Sequence, residues 1–393
     1  MKRSRRLPAM VAALALGMFP VAGAAAGEQG KGPAPVVQAP ERGIPGQYIV
    51  LVKRGAEPRS VAAIAGVNPR HLYTAALNGF AAALNQGQLT AMQHNPDVAY
   101  IEQDAEVNSA STETSASWGL DRIDQHALPL SRTFTYANTG AGVKAYIIDT
   151  GIRFSHSEFG GRAVTGFDAV DGGSADDCNG HGTHVAGTVG GATYGVAKAA
   201  TLVAVRVLDC GGSGTWSGVI AGIDWVTSDH AAGEPAVANL SLGGGASSSV
   251  DSAVRNMISD GVATAVAAGN GNNGGVAQDA CKYSPARVAE AMTIGATDQS
   301  DFKTSWSNYG NCVDWFAPGR SITSAWYTGD AASNTISGTS MATPHTAGVA
   351  ALLLQSTPLA TPQDVRDALY AATTKGVVKS SKTTNNHLLF TSY

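Results

Sequence analysis

Five short stretches of this chain carry side chains that can do chemistry together. Asp149 closes AYIID and is followed by Thr150-Gly151, while His181 and His184 lie in DDCNGHGTHVAG. Gly243 and Gly244 follow AVANLSL, Asn270 follows GVATAVAAG, and Ser340 stands in SGTSMATPHTAGVAALLL. An acid, an imidazole, a hydroxyl and a carboxamide are the parts of nucleophilic acyl chemistry. A serine hydroxyl attacks poorly until an imidazole takes its proton, and a carboxylate must hold that imidazole in the working tautomer. The oxyanion needs preorganised donors, which the Ser340 N–H at a helix start and the Asn270 amide can supply. Gly338 would let the chain approach a substrate carbonyl. Singly, each residue has a plainer reading: a serine before a helix caps it, an aspartate at a strand end serves a turn, and an asparagine before glycine forms one. The two histidines lack the glutamate and the spacing of a zinc-binding HExxH helix.

The elements that must gather these residues are legible from Trp118 onward. VKAYIID, TLVAVRVL, AVANLSL, GVATAVAA and AMTIGA are short apolar runs of the kind that strands buried on both faces give. Between and after them SGVIAGIDWVTSDHA, SSSVDSAVRNMISDG and the Ser340 stretch have helical periodicity. TPQDVRDALYAAT starts with Thr361 as N-cap, Pro362 at the first helical position and Asp364 at the third. Pro344 is read as lying in a first turn, where its missing N–H costs little. Strand-helix alternation predicts an α/β domain with a doubly wound, mostly parallel sheet, whose functional residues lie at the carboxyl ends of the strands. Before it, GQYIVLVK, VAAIAG, ALNGFAAAL, LTAMQHNP and VAYIEQD read as strand, helix, strand, helix and strand. They make a small α+β unit, closed by the polar stretch VNSASTETSAS.

The bulk properties bound the class. The chain has 393 residues, 44% of them hydrophobic and 14% charged, with 47 glycines and 16 prolines, a globular composition with many tight loops. Lys2, Arg3, Arg5 and Arg6 precede a short apolar run and the small residues 22–26, the pattern of a secretory signal peptide over residues 1–26. Nothing else is long enough to span a bilayer. From Trp118 onward there are 16 Lys and Arg against 22 Asp and Glu, 19 of the acids being Asp, which argues against a nucleic-acid partner. Short carboxylates in glycine-rich loops suit turns, caps and calcium. The four cysteines, Cys178, Cys210, Cys281 and Cys312, allow three pairings in an exported chain. The sequential one is expected, because each bridge then closes a loop of about thirty residues, worth roughly 3 to 4 kcal/mol.

Taken together and in order, IIDTGI, NGHGTHVAGT, VANLSLGGG, AAGNGN and SGTSMATPHTAGVAALLL resemble the subtilisin-like serine proteases, and within them the proteinase K branch. The resemblance covers almost all of residues 118–393. It implies Asp149, His181 and Ser340 as the triad and Asn270 as oxyanion donor, with His184 structural and Ser337 a loop residue. YIVLVK, LNGFAAAL and PDVAYIEQD resemble the inhibitor-type propeptide of that family, implying an intramolecular chaperone and inhibitor cut away within about 108–117. The expected partition is signal peptide 1–26, linker and propeptide 27–115, and catalytic domain 116–393. The cysteine positions resemble those of aqualysin-type members, in line with sequential pairing.

The resemblance also implies where substrate lies: between Gly212-Ser213-Gly214 and Ser241-Leu242-Gly243, as an extended strand read mainly through its backbone. Ala267, Ala268 and Gly269 would wall the first pocket, which then lacks a charge and favours apolar or aromatic residues before the cut. Calcium is implied as structural cofactor. Asp314 matches a family carboxylate, with carbonyls from Ala289 and Ala291. Asp121, Asp124 and Gln125 resemble a second site, and Asp171 with Asp176 is expected to form another. The resulting expectation is a secreted, monomeric serine endopeptidase acting on proteins and peptides. A catalytically silent binding protein of the same fold, or an esterase or ligase using the same triad, are the alternatives.

Overall fold

The computed structural model describes residues 32–38, 43–75, 77–105, 110–272 and 274–393. The expected signal sequence lies outside them, as do parts of the linker and of the expected cleavage region. Two compact units divide the chain, Met1–Ala105 and Glu106–Tyr393.

The first unit is a five-stranded sheet with two helices. Strand Gly43–Val52 pairs antiparallel with both Gly79–Ala83 and Val98–Ala105. His71–Tyr73 adds to one side and Val36–Val37 to the other, the latter in parallel. Val50, Phe80, Met92 and Ile101 form the buried centre. Helix Gln86–Gln93 begins earlier than LTAMQHNP suggests. Asn85 Oδ1 accepts the Gln88 N–H at 2.9 Å, and Gln88 Oε1 accepts the Asn85 N–H at 3.1 Å. This capping box outweighs the poor helix propensity of Gly87.

The second unit is built on a seven-stranded sheet. Its strands are β1 (Lys144–Asp149), β2 (Ala163–Asp168), β3 (Thr201–Arg206), β4 (Ala236–Leu240), β5 (Ala263–Ala267), β6 (Met292–Thr297) and β7 (Trp315–Pro318). In space they run β7-β6-β5-β4-β1-β3-β2, all neighbours parallel. The flanking helices are α1 (His181–Gly190), α2 (Trp216–Asp229), α3 (Ser248–Asp260), α4 (Thr339–Ser356) and α5 (Pro362–Ala372). Because β1 is covered on both faces, every second residue goes to a different core. Ala145 and Ile147 pack with residues of α1, α4 and α5, whereas Tyr146 and Ile148 pack with those of α2 and α3. The chain winds away from β1 in both directions, so the carboxyl ends of β1, β4 and β5 meet beside the switch point. Asp149, Ser241 and the segment leading to Asn270 stand there.

The cysteines pair sequentially, Cys178 with Cys210 and Cys281 with Cys312. Several features depart from the sequence reading. Neither edge strand of the seven-stranded sheet was anticipated: AVTGFD of β2 carries Gly166 in its middle and shifts register against β3 between Ala204 and Val205, and β7 is only the four residues WFAP. An antiparallel hairpin, Ile322–Ala325 with Ser333–Ile336, precedes α4. The polar stretch before Trp118 is not wholly irregular, since Ser111–Thr114 pairs with Thr133–Tyr136 inside the second unit. That strand has no apolar alternation to betray it, because most of its residues face solvent.

Candidate active site

Asp149 is fully buried at the end of β1, while the His181 side chain, first residue of α1, keeps 27% of its surface exposed. Asp149 Oδ1 accepts the Thr150 N–H at 2.8 Å and lies 2.7 Å from His181 Nδ1. A carboxylate only accepts, so Nδ1 carries the proton and Nε2 is left with a lone pair. Burial pulls the His181 pKa down, but the Asp149 charge and hydrogen bond, with the Asp177 charge adding, carry it above the usual imidazole value. The approach of β1 and α1 depends on a glycine: a Cβ at Gly182 would sit 2.2 Å from the Gly151 carbonyl oxygen. His184, one turn along, is buried with Nε2 3.0 Å from the Ile322 carbonyl. Burial lowers its pKa to about 4, so it stays neutral. Ser337 Oγ accepts the Ser321 N–H from its loop.

Ser340 is the second residue of α4, behind Gly338 as N-cap, so its hydroxyl is not a cap. It donates to the Ser241 carbonyl at 3.0 Å, while Ser241 Oγ donates to the Ser340 carbonyl at 2.8 Å. Pro344 lies in the second turn of α4, not the first. Lacking an N–H, it leaves the carbonyl four residues back, that of Ser340, without a helical partner, and the Ser241 hydroxyl fills the place. Asp149 and His181 thus meet directly, and the Ser340 hydroxyl is turned to Ser241 rather than to the imidazole.

Asn270 is held by its oxygen. Oδ1 accepts the Thr339 N–H at 2.8 Å and the Thr339 hydroxyl at 2.9 Å, and Thr339 Oγ1 in turn accepts the Gly269 N–H at 3.1 Å. The Asn270 NH₂ is thereby left facing Gly338, a Cβ on which would be 3.5 Å from Nδ2. Buried Asn308 accepts from Gly271 N–H at 3.0 Å and donates to the Ala268 carbonyl at 2.8 Å, fixing the same loop.

Two depressions meet along Ser241-Leu242-Gly243. One, of about 420 Å³, is walled by Ala267, Ala268 and Gly269 with Asn308, and has Ser340 and Asn270 at its mouth; no charged side chain lines it. The other, of about 640 Å³, runs from His181 to Gly212-Ser213-Gly214, with Leu208 and Trp216 on its floor. Leu208, Trp216, Thr339 and Asn308 were not singled out in the sequence. Trp216 opens α2, a position whose only sequence signal is that of an amphipathic helix.

The expected calcium ligands differ in how they are used. Among the described residues no group of three or more His, Cys, Asp or Glu side chains is arranged to hold a metal ion. Asp314 Oδ1 takes the Arg366 guanidinium at 2.5 Å and Oδ2 the Thr293 N–H at 2.8 Å. A cation already faces this carboxylate, so Asp314 with Ala289 and Ala291 does not fit calcium. Asp171 is likewise paired with Arg206 at 2.9 Å, while Asp176 accepts the Asp177 N–H. Asp124 differs. Its Oδ2 accepts the Thr135 N–H at 2.7 Å, but Oδ1 is buried without a partner. Burial, with Asp121 adding, pushes its carboxyl up to about 6. Asp121 accepts from Ser131 and the Arg132 N–H, and Gln125 Oε1 from the Ser131 N–H, so these two side chains meet the loop at Ser131 while Asp124 holds the strand Thr133–Tyr136 that follows it.

A parallel α/β sheet with an acid, an imidazole and a serine at one end of its strands meets the requirements of a serine hydrolase. The comparisons with known proteins make the class specific. Residues 140–389 match the Subtilase family (peptidase S8), and residues 47–110 match Peptidase inhibitor I9. The chain is 53% identical over 384 residues to "Extracellular serine proteinase" of Thermus sp., covering 91% of this chain and 92% of that one. It is 45% identical to "Proteinase R" of Parengyodontium album, covering 86% and 88%. The "Crystal structure of a cold adapted subtilisin-like serine proteinase" superposes with TM-score 0.67 at 54% identity, over 70% of this chain and 98% of that one. The chain therefore belongs to the subtilase family, among its aqualysin- and proteinase K-like members. It is a subtilisin-like serine endopeptidase preceded by an inhibitor-type propeptide domain.

Proposed function

We propose that the protein is a secreted endopeptidase, made as a precursor, in which Ser340 is the nucleophile, His181 the general base and Asp149 its orienting partner. The observation that carries this reading is the 2.7 Å contact of His181 Nδ1 with the buried Asp149 carboxylate, which leaves Nε2 as the base. The Ser340 hydroxyl turns from the Ser241 carbonyl to Nε2, gives up its proton there and attacks the scissile carbonyl carbon. The resulting oxyanion is met by the Asn270 NH₂ and the Ser340 N–H. His181 then passes the proton to the leaving amine, and the acyl-serine is hydrolysed by a water that the same imidazole deprotonates. An extended peptide lying against Gly212-Ser213-Gly214 and Ser241-Leu242-Gly243 gives broad specificity. The uncharged pocket at Ala267, Ala268 and Gly269 gives an apolar or aromatic preference before the cut.

The partition into 1–26, 27–115 and 116–393 and a maturation cut within about 108–117 belong to this reading; the pairing of Ser111–Thr114 with the second unit favours the amino-terminal part of that range. The Thermus relative is named extracellular, which supports secretion. The unpartnered Asp124 oxygen supports a structural calcium held with Asp121 and Gln125. Its role there is to bind charge and tie the segment around Ser131 to the short helix Trp118–Ile123, with no part in the reaction.

The test is the pair wild type and Ser340→Ala. The wild type should mature itself, digest casein and cleave a peptide library chiefly after apolar or aromatic residues. Ser340→Ala should lose processing and casein hydrolysis by on the order of 10⁴-fold or more. A Ser340→Ala protein that matures and digests casein, or strict cleavage after Lys or Arg, would overturn the respective assignment.

A further inference from the structure

Asp177 is a carboxylate that the sequence reading passed over for its neighbour Asp176. It is 6% exposed, and among the described residues no lysine or arginine pairs with it. Five donors converge on it instead. Oδ1 accepts the Thr150 hydroxyl at 2.9 Å and the N–H groups of Asn179 and Gly180, each at 2.9 Å. Oδ2 accepts the Thr183 N–H at 2.9 Å and the Thr183 hydroxyl at 2.6 Å. Two of these donors lead on. Thr150 Oγ1 also accepts the Gly182 N–H at 2.8 Å, and Thr183 Oγ1 accepts the Arg153 N–H at 3.0 Å. One side chain therefore joins the segment after β1, which carries Asp149, to the first turn of α1, which carries His181. A buried carboxylate is costly unless fully hydrogen-bonded, and here the bonds all serve that junction.

We propose that Asp177 is a positioning residue of the proton-transfer apparatus: it fixes the spacing of Asp149 and His181 and, by its charge, favours the imidazolium that forms when Ser340 attacks. This rests on the reading of His181 as the base. The groups facing His181 leave the charge role to the two carboxylates. Asp149 comes from β1 and Asp177 from the loop before α1, while His184 on α1 is buried and stays neutral down to about pH 4, as does His345, the buried histidine of the neighbouring α4. Arg153, in the segment after β1, is already paired with Asp330 at 2.8 Å.

Asp177→Asn keeps the size and removes the charge. In the mature enzyme the acid limb of kcat/KM should move to lower pH by about half a unit or more, with kcat falling about tenfold and KM nearly unchanged. The His181 imidazole, titrated by proton NMR in enzyme blocked by a serine-directed inhibitor, should show the same shift with no reference to turnover. Thr150→Val removes one donor and keeps the charge, so kcat should fall severalfold with the limb unmoved. Coincident limbs and kcat for wild type and Asp177→Asn would overturn the proposal; should that variant not mature, an unchanged kcat in Thr150→Val does so. Activity surviving in Ser340→Ala would instead sink the reading of the triad and leave the NMR shift of His181 as a separate result.

Discussion

At the scale of single residues, the site depends on which end of a polar group is held and which is left over. Asn270 offers its NH₂ because Thr339 occupies its oxygen twice, and His181 offers Nε2 because Asp149 occupies Nδ1. Removing the offered end should cost rate and spare binding, since the oxyanion exists only after attack. Asn270→Ala should lower kcat by about 10²- to 10³-fold with little change in KM. A loss confined to KM in steady-state kinetics on a soluble peptide would show that the amide binds the ground state instead. As the proposed base, His181 must be neutral, so activity should climb as pH passes a His181 pKa lying above the usual imidazole value, and persist on the alkaline side.

At the scale of elements, α4 is joined to the strand end after β4 by two reciprocal hydrogen bonds between Ser241 and Ser340. One of them exists because Pro344 cannot donate to the Ser340 carbonyl. Ser241→Ala should leave that buried carbonyl unsatisfied and cost about 1 to 3 kcal/mol, read from denaturant midpoints. It should also lower kcat, because the carbonyl belongs to the peptide of the proposed nucleophile; an unchanged midpoint would remove Ser241 from this role. The same helix marks how far the sequence could be read. Apolar runs gave away β1, β3, β4, β5 and β6, because strands buried on both faces leave no polar residue to interrupt them. The edge strand β2, with Gly166 and a register shift, and the exposed strand Ser111–Thr114 lack that signal. Ser340, His181, Asp149 and Asn270 stood out by type and by following strands or opening helices. Thr339, Asn308 and Asp177 did not, since what they do depends on contacts between segments tens of residues apart, of which composition and periodicity carry no trace.

At the scale of the whole molecule, stability rests on the two cores together with devices that respond to solution conditions. Two bridges, Cys178–Cys210 and Cys281–Cys312, should hold in any oxidising medium. The calcium proposed at Asp124 would be the first adjustable device: with the serine blocked against autolysis, EDTA should lower Tm in wild type and in Asp314→Asn but not in Asp124→Asn. Equal EDTA shifts in wild type and Asp124→Asn would move the site elsewhere. Acid is the second, and it acts through the helices that build the site. His184 on α1 and His345 on α4 are both fully buried, and burial lowers each pKa to about 4. In the unfolded chain the same imidazoles titrate near the ordinary value of about 6.5. As pH falls below that value the unfolded state takes up protons that the folded state refuses, so stability is lost from about 6.5 down to about 4, where the folded state begins to accept them. Two such groups remove up to roughly 2.7 kcal/mol per pH unit, and on the order of 5 kcal/mol or more across the window. His181 contributes with the opposite sign, since its folded pKa is raised: its share is present below about 6.5 and fades as pH rises through the folded value. The net expectation, for inhibitor-blocked enzyme kept saturated with calcium so that Asp124 stays ionised instead of taking up a proton near pH 6 in the folded state, is a steep fall in Tm between pH 6.5 and 4, accompanied by uptake of about two protons on unfolding. His345→Gln, which removes one of the two groups, should roughly halve that slope even if it lowers Tm throughout, and an unaltered slope would show that carboxylates, not these imidazoles, set the acid limit.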